Sequence, residues 1–263
     1  MTGMALNALL ALGSGSAIGL VLGLVGGGGS ILAVPLLVYL VGVPSPHIAI
    51  GTAALAVAAN AAMGLAAHAR QGTVRWPCAL VFAAAGSFGA ALGAAAGKAI
   101  DGKRLLALFG LAMIAVGISM LRRAPETGAV GFRLSRANAQ RLVPRLLASG
   151  AGVGLLSGFF GIGGGFLIVP ALMFATEMPI ASAIGTSLVA VTAFGLTTAG
   201  SYAASGLVDW WLASLLLAGG AMGVLAAMRL GRALAKSKGL LTRIFAVAVV
   251  TVGVIVALRG LTG

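Results

Sequence analysis

The 263-residue chain is 60% hydrophobic and only 8% charged, with a mean hydropathy of +1.13. That composition leaves too little polar surface to face water on all sides and excludes an ordinary soluble domain. A formal charge of +13 brings nucleic acid to mind, but the cations stand in short clusters between apolar blocks, not on a basic face with interleaved aromatics, so no nucleic-acid partner is expected.

In chain order the apolar blocks cover about 5–25, 31–43, 48–68, 77–97 and 105–121, and then about 145–160, 166–176, 181–204, 210–228 and 240–258. No Lys or Arg precedes the first block, so it reads as mature sequence and not as a cleaved leader. A helix crosses the hydrocarbon layer with about 20 residues at ~1.5 Å each. The second block of each set falls short of that and reads as a half-helix or short returning arm. Bare backbone turns survive in a bilayer only where protein or a water-filled cavity satisfies them, so the turns before these arms should face the interior. The lone cysteine, Cys78, sits in an apolar run, offers no disulfide framework or metal-ligand spacing, and reads as a small buried side chain.

The two sets of blocks are copies. Gly19 to Trp76 can be laid over Gly154 to Trp210, each carrying a glycine run: Gly26-Gly27-Gly28-Gly29-Ser30 with Pro35 following, and Gly161-Ile162-Gly163-Gly164-Gly165 with Pro170 following. After a one-residue slip, Gly51-Thr52-Ala53 matches Gly185-Thr186-Ser187, and Gly72, Val74 and Trp76 match Gly206, Val208 and Trp210. Duplication with interrupted apolar segments is the pattern of a transporter whose halves form one path. The expected fold is an all-α polytopic membrane protein: a first transmembrane repeat at 1–122, a basic linker at 123–144 and a second repeat at 145–263. Each repeat would hold a glycine-run hairpin or broken helix followed by three longer transmembrane helices.

Charge placement orients the copies. The linker region carries Arg122, Arg123, Arg133, Arg136, Arg141 and Arg145 against Glu126. With an odd number of crossings per half, thirteen of the seventeen cations share the linker's side, leaving Lys98, Lys103, Arg104 and Arg259 on the other; an even number splits them nine against eight. The positive-inside rule favours the odd arrangement, with a cytoplasmic linker, both termini outside and inverted repeats about an axis in the membrane plane.

The glycine runs are candidate substrate contacts. A run that opens a helix exposes backbone N–H groups at the positive end of the dipole, and glycine permits both close approach and the positive φ of an N–H nest. Gly26, Gly27, Gly28, Gly29 and Ser30 from one side, and Gly161, Gly163, Gly164 and Gly165 from the other, could grip one small oxyanion at the centre. The competing reading is close helix packing. Thr52, Thr186 and Ser187 could donate hydroxyls to the anion, or bond a carbonyl one turn back in their own helix. Asn60, two turns after Thr52, can share its interior face, whereas its counterpart Phe194 cannot hydrogen-bond. Thr192, Thr197 and Thr198 are further polar sites or interhelical glue.

His68 near a membrane edge could follow protons or mark the interface. Arg75 and Asp209 occupy matching positions beside Trp76 and Trp210, which read as interfacial anchors first and gate residues second. Asp101, Glu126, Glu177 and Asp209 all lie at block ends or in loops, so a carboxylate proton relay or sodium site has no candidate in the core. No nucleophile with a partnered base, paired carboxylates or metal cluster falls in the apolar blocks, so no catalytic residue, metal or cofactor is expected, and an intramembrane enzyme is disfavoured.

The paired G-x-G-G-G-x-(Ile/Leu)-x-Val-Pro and Gly-Thr-(Ala/Ser) elements resemble the TauE/SafE family, also called the toluene-sulfonate uptake permease family, over nearly the whole chain. The resemblance implies a permease of the bacterial inner membrane for small sulfur-containing anions such as sulfite, sulfonates or sulfoacetate. Family motifs fall on Gly26 through Ser30 with Pro35, on Gly161 through Gly165 with Pro170, and on the Gly51-Thr52 and Gly185-Thr186 pairs. Gly27 stands where the second copy has Ile162, and Ser30 where it has Gly165. Partners are then the anion and the bilayer, with a homo-oligomer left open. Alternating access is the expected mechanism, and an anion channel constricted by the two arms is the alternative.

Overall fold

The computed structural model describes residues 2–25, 27–122, 136–161, 163, 165–233 and 238–262. Among these, eight helices are long and apolar enough to span a bilayer. They are α1 (Thr2–Val25), α2 (Pro46–Arg70), α3 (Trp76–Ala99), α4 (Gly102–Arg122), α5 (Arg136–Phe160), α6 (Ile180–Ala203), α7 (Trp210–Ala233) and α8 (Lys238–Thr262). Two short arms complete the chain. The first follows α1 as tight 3-10 turns over Gly27–Leu32, a single α-turn at Ala33–Pro35 and wide π-turns over Leu36–Val41. The second follows α5 as a 12-residue helix, Gly165–Thr176. At ~1.5 Å per residue that arm reaches about 18 Å, little more than half of the hydrocarbon core. The outer surface suits lipid: Phe174 is 81% exposed and Trp211 70%, which would be untenable as part of such an apolar surface in water.

One boundary differs from the sequence reading. Helix α5 begins at Arg136, inside the segment read as linker, so Arg136 and Arg141 stand on its first turns; Arg123, Glu126 and Arg133 lie outside the described residues. Arginines end an apolar block without ending a helix, because their long stems carry the charge to water.

The stops are matched between the halves. Helix α2 gives way to Gly72 at φ +68° and α6 to Gly206 at φ +69°, left-handed turns in which glycine carries no Cβ penalty. The arms end at Gly42, φ +83°, and at Glu177, φ +57°.

Contacts give the helix directions. The start of α2 lies against the residues that follow α6, and the start of α6 against those that follow α2, so these two run antiparallel. Helices α3 and α5 run parallel, Phe82 beside Gly150 and Gly97 beside Phe159. Helices α1 and α7 also run parallel, with Gly15 at Leu216 and Gly23 at Ala227, while α4 and α8 are antiparallel, with Gly110 at Ala257 and Gly117 at Val250. Exchanging the halves turns the α1–α7 pair into the α5–α3 pair and maps α2–α6 and α4–α8 onto themselves. The start of α4 touches Pro46 at the start of α2, so α2 and α4 begin at one end. Arg70, Arg75, Arg122 and the start of α5 therefore gather at one end, the linker end, and Lys98, Lys103, Arg104 and Arg259 at the far end. At the far end the Lys98 ammonium donates to Ser201 O and Ser205 Oγ, both at 2.9 Å, and Arg259 lies over the Tyr39 ring at 5.2 Å.

The parallel pairs approach to backbone contact along glycine seams. Gly158 of α5 rests on the Ala90 carbonyl of α3, leaving no room for a Cβ, whereas Gly152 on the same helix has open space beside it. Small residues at such seams let helices pack where lipid supplies no hydrophobic drive. Gly158→Val is expected to lower stability by about 1–3 kcal/mol or more through overpacking, and Gly152→Val to leave it within ~0.5 kcal/mol. Thermal unfolding of both variants in detergent checks the contrast, and equal losses would contradict the seam.

Candidate functional site

Helices α2 and α6 are the most enclosed spans, and their ends are joined by one hydrogen bond made twice. Thr52, completely buried in α2, accepts the backbone N–H of Asp209 at 3.0 Å; Thr186, completely buried in α6, accepts that of Arg75 at 3.0 Å. Asp209 and Arg75 immediately precede α7 and α3, so each bond satisfies a helix-start N–H that has no intrahelical partner. The Asp209 carboxylate also accepts Leu212 N at 2.9 Å, a further cap of α7. Each repeated threonine hydroxyl thus accepts an N–H from the opposite half, a contact additional to the two expected of it, and its own O–H remains a donor. Ser187 does take the local option and donates to Ile184 O at 2.8 Å. Arg75 and Asp209 are joint residues at opposite ends, and the exposed Trp76 and Trp210 beside them are placed as lipid-facing anchors.

The two glycine runs adopt different conformations. In the second, Gly161 at φ +66° and Gly163 at φ +67° turn the chain out of α5 and into the arm that opens at Gly165. Gly161 packs on Ile50, and a Cβ on Gly163 would stand 3.2 Å from Val57 Cγ1 and 3.5 Å from Val191 Cγ1. Val57 and Val191 lie near the midpoints of α2 and α6, so this arm's positive dipole end starts halfway through the protein. In the first run Gly27, Gly28 and Gly29 already belong to the 3-10 turns and none has a positive φ. Gly29 packs on Ile18 O and Leu22 N of α1, and Ser30 is completely buried. The two runs therefore differ, as their unlike residues at Gly27/Ile162 and Ser30/Gly165 left open: the first is a tight helix packed on α1, and positive φ among them falls on the second. The arms pack against each other and against α2 and α6, so the runs share one central region. Gly26, Ile162 and Gly164 lie outside the described residues.

Asn60 is 1% exposed, lies on Gly220 of α7, and its Oδ1 has no protein partner. Thr192 and Thr197 bond carbonyls one turn back, at Leu188 and Ala193. His68 sits at the linker end, where Nδ1 is 3.1 Å from Thr73 Oγ1 and that hydroxyl donates to His68 O. It lies away from the centre, near the Arg75 joint. The central region therefore offers backbone dipoles, one carboxamide and apolar walls, while the charged side chains of α2, α3, α6 and α7 stand at their ends. Such a site can hold a small anion loosely without ionising any side chain.

The reciprocal joints were not anticipated from sequence, although their signal was present: Arg75 and Asp209 occupy matching positions, as do Thr52 and Thr186. Thr186→Val is expected to strand the part-buried Arg75 N–H and cost about 1–3 kcal/mol. Thr186→Ser, which keeps an acceptor, should recover most of that. Unfolding midpoints that do not separate the two variants would remove the joint.

The chain matches the family model described as Sulfite exporter TauE/SafE over residues 11–256. It is 50% identical over 252 residues, 95% of each chain, to a protein of Xylella fastidiosa (strain 9a5c) named "Probable membrane transporter protein". It is 29% identical over 213 residues to "Probable membrane transporter protein YunE" of Bacillus subtilis (strain 168), covering 74% of this chain and 78% of that one. With "Probable membrane transporter protein MJ0441" of Methanocaldococcus jannaschii it shares 30% identity over 188 residues, 69% of this chain and 67% of that one. No solved structure matches it. A multi-pass helical protein with this match along almost its whole length belongs to the TauE/SafE family of membrane transporters.

Proposed function

We propose that the chain is a permease that moves a small sulfur-containing anion, such as sulfite, a sulfonate or a sulfoacetate-like molecule, across the bacterial inner membrane by alternating access. The observation that carries this reading is the start of the second arm at Gly163, midway along α2 and α6, where a helix dipole meets a core without ionised side chains. A pyramidal sulfite or a tetrahedral sulfonate group offers acceptor oxygens in several directions, and dipoles hold it less firmly than a buried arginine would, which suits release. Equivalent helices running in opposite directions support two inverted repeats, rocking about the threonine joints so that the site faces one side at a time. The arginine-rich linker end is the cytoplasmic one on the positive-inside rule.

The test is uptake of radiolabelled sulfite and small sulfonates into proteoliposomes, with unlabelled anion inside. Saturable counterflow is the expected outcome. Gly163→Leu should abolish it while the protein still inserts, since a side chain there meets Val57 and Val191 and the left-handed backbone adds about 1–2 kcal/mol of strain. Unchanged flux in that variant would remove the arm from the site. Flux that neither saturates nor shows counterflow would establish the channel reading instead, and absence of any sulfur-anion flux would remove the substrate class.

A further inference from the structure

The centre of the molecule is chemically one-sided. Along the antiparallel core pair, Gly51 meets Tyr202, Ala58 meets Gly195 and Gly64 meets Leu188. In that register, equivalent positions of the two helices come level at residues 59 and 193, so Asn60 and its counterpart Phe194 stand beside the point about which the halves exchange. Their surroundings exchange too: Asn60 of α2 lies on Gly220 of α7, and Phe194 of α6 lies on Gly86 of α3. Phe194 is fully accounted for by packing, stacked on Phe82 at 5.9 Å between ring centres. Asn60 is not, because its buried Oδ1 receives no hydrogen bond.

A buried carbonyl without a donor is a standing cost that native proteins rarely carry without a role. The other unpartnered buried polar atoms among the described residues lie nearer the ends: the hydroxyls of Ser14, Ser157, Thr198 and Tyr202 and His47 Nδ1 toward the far end, and Arg75 Nε at the linker end; a hydroxyl can also rotate to suit a neighbour. Asn60 stands level with the arm's opening turn at Gly163. A fully deprotonated oxyanion brings only acceptors and is repelled by a carbonyl oxygen. An oxyanion that retains one proton brings a donor for that carbonyl together with acceptors for backbone N–H groups. It also carries a single charge, which lowers its desolvation cost in a site without a cation.

We propose that Asn60 is the side chain that meets the transported anion, and that its carbonyl accepts a hydrogen bond from the anion, so the cargo is bound as a hydrogen oxyanion. This rests on the reading of the central region as the anion site. On this reading a core without acids needs no proton relay of its own, because the anion carries its proton with it. Protein groups that titrate lie away from Asn60 on each element packed around it. Helix α1 has none among its described residues, α2 has His47 and His68 with Arg70 at its ends, α4 has Lys103 and Arg104 at its start and Arg122 at its end, the first arm has Tyr39, α6 has Tyr202, and α7 follows Asp209 and carries Arg229 and Arg232 near its close. The pH dependence of binding therefore belongs to the cargo.

The experiment is thermal unfolding of the purified full-length protein in detergent, with sulfite over a pH series spanning its second ionisation and with methanesulfonate, which stays a proton-free monoanion. Sulfite should raise the unfolding midpoint on the acid side, with apparent affinity falling at least tenfold as hydrogen sulfite gives way to sulfite. Methanesulfonate should give a smaller shift, flat with pH. Asn60→Leu, with Asn60→Ala in case the larger side chain crowds Gly220, should both fold and both lose the sulfite shift. Thr192→Val should keep it, because that hydroxyl is already bonded to Leu188 O at 2.8 Å. A retained shift in both Asn60 variants would overturn the role of Asn60. A sulfite shift undiminished with pH, or a methanesulfonate shift following the same pH curve, would overturn the hydrogen-oxyanion cargo. No shift with any sulfur anion in the parent protein would overturn the permease reading beneath both.

Discussion

A backbone that turns in the middle of a bilayer must have its polar groups satisfied by protein, and the rest of this architecture follows from that requirement. Each short arm is too short to cross the hydrocarbon layer, and in such a layer an open N–H or C=O costs several kcal/mol, on the order of a lost hydrogen bond in apolar solvent. The arms accordingly pack on each other and on neighbouring spans, the first mainly on α1 and the second mainly on α5 and α6. Because arm residues reach the middle of the α2–α6 pair, with Gly163 between Val57 and Val191, α2 and α6 are tied at their ends. The Thr52–Asp209 and Thr186–Arg75 bonds provide those ties and cap α7 and α3 in the same stroke.

The outer helices answer a different demand. In lipid, apolar surface gives no drive for association, so α1–α7 and α3–α5 gain their contact by bringing glycine backbones together. Leu, Phe and Trp side chains are left for the lipid face, as the exposure of Phe88, Phe174 and Trp210 records. Charge is expelled to the two ends. There Lys98 closes the last turn of α6 by donating to Ser201 O, a cation at the negative end of a helix dipole. What remains at the centre is nearly neutral, held in shape by helix dipoles and by an asymmetric pair, Asn60 and Phe194.

Much of this was legible in the residues. The duplicated runs and the short blocks after them marked the arms, and the aligned Gly72 and Gly206 became matched left-handed stops with φ +68° and +69°. The bias of cations toward the linker's side agrees with the helix directions that the contacts give. Other features escaped for physical reasons. The joints connect residues 157 and 111 positions apart, and no local pattern states that a threonine will serve a distant N–H instead of its own helix. The start of α5 was placed late, because a basic turn ends an apolar block while continuing the helix. The glycine runs looked alike, yet Gly27–Leu32 closed into 3-10 turns against Ile18 and Leu22 of α1, whereas Gly161 and Gly163 take positive φ against Ile50, Val57 and Val191.

By itself the sequence determined the solvent, the helical class, the doubling and the family, because hydropathy, block length and repeated motifs are properties of the chain alone. Only the tertiary structure decided which polar groups remain free. Hydrogen-bond partners are assigned by proximity between halves: that proximity engaged Thr52 and Thr186 in joints, turned Ser187 onto its own helix, and left the carbonyl of Asn60 without a partner at the centre.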